Sequence, residues 1–77
     1  MYQYYIFSMT KNENGEYEHD VKWTFDETDK AAYHKAESLY YDILSKAAIA
    51  EGIVFKSVVM MNAEGRIYAT TCINHAD

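Results

Sequence analysis

The stretch Asn14–Phe25, NGEYEHDVKWTF, sorts its side chains by parity. Tyr17, His19, Val21, Trp23 and Phe25 fall on one side of an extended chain, and Glu16, Glu18, Asp20, Lys22 and Thr24 on the other. Such alternation marks a half-buried strand, because successive strand side chains point to opposite faces. Asn14-Gly15 ahead of it is the strongest short hairpin signal, since both residues accept the positive φ angles of a type I′ turn. With these two as the loop, Glu13 faces Glu16, and Tyr2–Met9 becomes the partner strand, with Ile6 opposite Trp23 and Tyr4 opposite Phe25. Tyr4, Ile6, Ser8, Val21, Trp23 and Phe25 then share one face, and Tyr5, Phe7 and Met9 lie beside Asp20 and Lys22 on the other. A bulge between Met9 and Glu13 would shift this register.

Working outward, Asp26 or Thr28 can cap a following helix, with Glu27 and Asp29 placed where carboxylates favour the positive end of its dipole. The helix should run to about Ala50 and stop at Gly52. Its apolar face gathers Leu39, Ala32, Ala50, Ile43, Ala36, Ala47, Tyr40, Tyr33 and Leu44, and the alanines let the backbone lie close to a sheet. Ile53–Asn62 (IVFKSVVMMN) and Arg66–Asn74 (RIYATTCIN) read as two further strands joined by Ala63-Glu64-Gly65, where Gly65 can supply a left-handed bulge position. In that register Phe55, Val59, Met61, Ile67, Ala69 and Ile73 share a face, opposite Val54, Val58, Met60, Tyr68, Thr70 and Cys72. A two-residue turn at Glu64-Gly65 would change the parity.

The expected fold is α+β: a single domain over residues 1–77, ββαββ, one helix on a four-stranded antiparallel sheet. Order 2-1-3-4 puts the more polar strands at the edges. Charge on the second strand then has two readings. Glu16, Glu18 and Asp20 either keep other strands from pairing with an edge, or form a surface for a partner.

The chain of 77 residues has a net charge of −5. Seven acids (Glu13, Glu16, Glu18, Asp20, Asp26, Glu27, Asp29) stand against Lys22 alone within residues 13–29. So few clustered bases argue against nucleic acid or an anionic membrane as a direct partner. The apolar start ends near Thr10, too short for a membrane span and without the marks of a leader, so a cytoplasmic protein is expected. Cys72 has no cysteine to pair with, and His19, His34 and His75 are scattered, so neither a disulfide nor a metal site is expected. Ser8, Ser57 and Cys72 lack the neighbours that activate a nucleophile, and there is no phosphate-binding glycine loop, so neither enzyme nor cofactor is implied.

The face away from the helix carries the functional expectation. Tyr5, Phe7, Met9, Val54, Val58, Met60 and Tyr68 should form an uncovered apolar area, the mark of an interaction site and here of a homodimer or protein partner. The alternative is an acidic inhibitor using Glu16, Glu18, Asp20, Asp26, Glu27 and Asp29 to fill a basic nucleic-acid-binding groove. The aromatic first strand, Phe25-Asp26 leading into a helix with Ala32 and His34, and a hydrophobic strand ending in Asn62-Ala63-Glu64-Gly65 give the chain a layout that resembles a group of short uncharacterised proteins of gut bacteria and their mobile elements. That resemblance implies a fold and a context, and no activity or site residue. In size and charge the chain is also similar to small acidic phage proteins that block nucleic-acid-binding machinery.

Overall fold

The computed structural model describes residues 1–75. Strand β1 spans Tyr2–Asn12, β2 Tyr17–Asp26, helix α1 Asp29–Ile49, β3 Ile53–Asn62 and β4 Ile67–Asn74. The four strands form one antiparallel sheet in the order β2-β1-β3-β4. This is the ββαββ arrangement the sequence predicts. No helix among the described residues is long and apolar enough to cross a membrane.

The first turn departs from expectation, and the departure reverses a face. Gly15 has φ +82°, but among the described residues none other than glycine has positive φ, so Asn14 does not adopt the type I′ conformation. Asn12 organises the loop instead. Its side-chain oxygen accepts from the Asn14 and Glu16 amides, both at 3.0 Å, while its own N–H donates to the Glu16 carbonyl at 3.0 Å. The loop is therefore Glu13-Asn14-Gly15, one residue longer than an Asn-Gly hairpin. Tyr4 now faces Thr24, Tyr5 faces Trp23 and Ile6 faces Lys22. A one-residue slip in a strand moves every side chain to the other side.

The second hairpin repeats the device. Asn62 Oδ1 accepts from Glu64 N at 3.0 Å and Arg66 N at 2.9 Å, and Gly65 sits at φ +89°. Met61 faces Ile67 as that loop requires. A register shift between Met60 and Met61 then leaves Tyr68 as an extra residue, so Met60 faces Ala69 and Val58 faces Thr71. Beyond the bulge, Ala69 and Ile73 stay toward the helix, but Phe55, Val59 and Met61 turn away from it, opposite to the sequence expectation.

Thr28 caps α1, its Oγ1 accepting from the Ala31 amide at 3.2 Å. The helix lays the expected face on the sheet. Ala32, Ala36 and Tyr40 are buried against Tyr4, Ile6, Val58 and Met60, with Tyr33, Leu39, Ile43 and Leu44 packed around them, and Ala47 is buried near the helix's end. Among the described residues, eight buried apolar ones make a thin core, as expected of a domain this short. The bulge has a use here. It carries Tyr68 to the helix side, where Tyr4, Tyr33 and Tyr68 meet edge to face with ring centroids 5.6–5.7 Å apart.

Tyr4 also donates from its hydroxyl to Asp29 Oδ1 at 2.6 Å, tying β1 to the first turn of the helix. Tyr4→Phe removes this charge-assisted bond and is expected to cost about 1.5–3 kcal/mol in urea unfolding at neutral pH. A second signature lies in alkaline solution. The hydrogen bond to Asp29, and then burial, push the Tyr4 phenol well above its ordinary range. Its contribution is complete below about pH 10, the unfolded value, and declines as the pH rises beyond it, because the unfolded chain releases a proton that the folded state retains. Tyr4→Phe should show a shallower alkaline loss than the parent, with Tyr33, raised chiefly by burial, supplying part of the remainder.

Candidate interaction surface

Opposite the helix the sheet is bare, and the registers fix what it displays. Four rows cross the strands: Trp23–Tyr5–Met61–Ile67, Val21–Phe7–Val59–Thr70, His19–Met9–Ser57–Cys72 and Tyr17–Lys11–Phe55–Asn74, with Phe25 beside Gln3 at one end. Side chains on this face stand well out: Trp23 is 53% exposed and Ile67 57%, and Tyr17, Val21, Phe25 and, on the inner strand β1, Phe7 are exposed as well. A hollow of about 150 Å³ opens among Phe7, Met9, His19, Val21, Ser57 and Val59. Lys11 is the only formal charge in these rows, and it lies over the Tyr17 ring at 5.6 Å.

Of the seven residues expected on this surface, Tyr5, Phe7 and Met9 are there. Val58 and Met60 are not: at 0% and 1% exposure they form the centre of the core beneath the helix. Val54 shares their parity on β3, and Tyr68 belongs to the tyrosine cluster on the helix side. Trp23, Val21 and Phe25, expected under the helix, take their place on the open side together with Phe55, Val59, Met61 and Ile67. The physical reason is the length of the Asn12 loop on β2 and the true facing of β3 against β1, where Ile6 pairs with Met60 and Phe7 with Val59. The legible signal is Asn-x-x-Gly, present at Asn12–Gly15 and again at Asn62–Gly65. An asparagine three residues ahead of the glycine can hold the longer turn with its side chain.

The polar parity of β2 consequently points to the helix side. β2 is an edge strand whose helix-facing side is only partly covered. Thr24 Oγ1 donates to the Ala32 carbonyl at 3.2 Å, and Asp20 and Lys22 line an open groove of about 270 Å³ with Ser8, Asp42, Lys46 and Lys56. Lys46 is paired with Asp42 at 2.9 Å.

The six acids of the alternative surface divide into two groups. Glu16, Glu18 and Asp20 lie toward the hairpin end, and Asp26, Glu27 and Asp29 around the helix start; Glu18 and Asp26 are about 26 Å apart along the strand. Two carboxylates of the second group are engaged within the fold. Asp26 pairs with Lys35 at 2.8 Å and accepts from Glu27 N, contacts that hold its carboxyl below the usual range, and Asp29 accepts from Tyr4.

Among the described residues, no group of three or more His, Cys, Asp or Glu is placed to hold a metal. His75 Nε2 donates to the Ala47 carbonyl at 3.1 Å, and His34 stands beside Glu37 at 3.8 Å on the exposed side of the helix. Cys72 is a free, exposed thiol. No family model, curated protein or solved structure matches the chain.

Proposed function

We propose that the protein is a small non-enzymatic interaction module of the cytoplasm that forms a homodimer through the open face of its sheet. The carrying observation is the set of apolar rows just described, from Trp23 and Phe7 to Val59 and Ile67, with Lys11 as their single charge. Contiguous exposed apolar surface beyond a few hundred Å² marks an interaction site. Ten-residue strands at sheet spacing make a face about 34 Å long and about 19 Å wide. Its projected area of about 650 Å², raised by side-chain relief, approaches the ~800 Å² per partner of a standard interface.

A second copy suits this face better than other occupants. The surface brings almost no charge, so two copies meet without like charges opposed, and the hollow beside Met9 and His19 can receive a large side chain from the mate. An aromatic sheet face also stacks bases in some RNA-binding domains, but those add a set of basic residues where this face has Lys11 alone. The thin core gives association a further role, since burying this face would add the apolar area that the short monomer is missing.

Light scattering over a concentration series is the test. The parent should run at no less than twice 8.9 kDa, and Phe7→Glu, which puts a carboxylate at the centre of the face, should halve the mass at a given concentration. A parent that stays at the mass of one chain, or a Phe7→Glu variant of unchanged mass, overturns the reading.

A further inference from the structure

The two edges of the sheet are built alike and charged differently. Each ends a hairpin with the same asparagine-organised turn, but β2 carries Glu18, Asp20, Lys22 and Asp26, whereas β4, Ile67–Asn74, carries no charged residue and no proline. Within β4 only Ala69 and Ile73 are half-buried, and the other six residues are exposed. Charges along an edge deter a foreign strand, and their absence leaves a row of backbone donors and acceptors ready to pair. The helix does not close this edge: it meets β4 at Tyr68, Ala69 and Thr71, the last through a 2.5 Å hydrogen bond with the Tyr40 hydroxyl.

We infer that β4 pairs antiparallel with β4 of a second copy, extending the sheet from four strands to eight. This goes beyond the open-face dimer and does not rest on it. A twofold axis joining two sheet edges must stand normal to the sheet, so helices of both copies lie on one side and facing residues come from the same side. The axis therefore passes where a residue faces its own counterpart. The bulge at Tyr68 confines the regular stretch to Ala69–Asn74; axes at Thr71 and at Cys72 each keep five of these six residues, and the one that leaves Asn74 outside the pairing places Thr71 opposite Thr71 of the second copy. Thr70 then faces the second copy's Cys72, and Ala69 faces the second copy's Ile73. No charges oppose, and pairs of β-branched residues suit an antiparallel ladder. β1 and β3 already meet antiparallel in the same way, as the inner strands of the two hairpins.

Cross-linking tests the pairing from the side the open face cannot reach. Thr71 lies on the helix side of the sheet, opposite Val58. In Thr71→Cys with Cys72→Ser, two cysteines directly facing each other fall within disulfide reach, and mild oxidation should give about tenfold more covalent dimer than Glu18→Cys with Cys72→Ser, the matching position on β2. The yield should persist when Phe7→Glu is added, which separates this pairing from failure of the open-face reading. If Thr71→Cys does not fold, a nitroxide on Cys72 in the Phe7→Glu background reads the same contact by dipolar broadening. Equal yields at Thr71 and Glu18, or unbroadened spectra in the Phe7→Glu protein, overturn the inference.

Discussion

Met60→Ala is expected to remove about 2–5 kcal/mol of stability, the range for truncating a large buried side chain to alanine. Met60 is 1% exposed and sits with Ile6, Val58 and the helix alanines in a core of few residues. A chain of 77 residues has roughly 4–12 kcal/mol in total, at about 0.05–0.15 kcal/mol per residue. One truncation can therefore consume half or more of it. Chemical denaturation followed by circular dichroism should show the midpoint falling sharply, at low protein concentration as well as high. The result separates core from interface. A residue on the open face would lose association and keep the monomer's stability, so an unchanged midpoint at low concentration would show that β3 presents Met60 outward.

Trp23→Ala should do the reverse. With 53% of its surface exposed, the indole contributes little to the monomer, yet it stands at the head of the row Trp23–Tyr5–Met61–Ile67 on the proposed interface. Aromatic anchors of this kind carry about 2 kcal/mol or more of binding energy, which corresponds to a dissociation constant raised about thirtyfold. Urea unfolding at several protein concentrations distinguishes the two effects. The parent's stability should climb with concentration, and the variant's climb through the open face should be displaced to about thirtyfold higher concentration. Emission gives a second readout: Trp23 fluorescence should move to longer wavelength on dilution and stay there in Phe7→Glu. A cost of several kcal/mol in the monomer would place Trp23 under the helix and restore the two-residue turn.

These two residues show where the sequence was legible. The number, kind and order of elements follow from local chemistry: alternation in Tyr17–Phe25, Thr28 as a helix cap, glycines after the turns, and an alanine-rich helical face that the structure buries at Ala32, Ala36, Tyr40 and Ala47. The strand order follows from charge, since only an edge tolerates Glu18, Asp20 and Lys22 in one strand. An apolar uncovered face is also legible, because one helix covers one side of a sheet. Parity alone assigns Tyr5, Phe7 and Met9 to it.

What the sequence by itself determined is therefore the architecture and the existence of that face; tertiary structure decided which residues compose it. Strand parity has only two answers, and β3 is apolar on both, so Val58 and Met60 are as fit for the open side as Phe55, Val59 and Met61. The choice is made by contacts distant in sequence. Asn12 and Asn62 add a residue to each loop through side-chain hydrogen bonds, a bulge delivers Tyr68 to Tyr4 and Tyr33, and the pairing of Ile6 with Met60 sets which half of β3 meets the helix. Each contributes only a few kcal/mol or less, but a single-residue change in register turns over a whole strand, so these small terms select which side chains the open face presents.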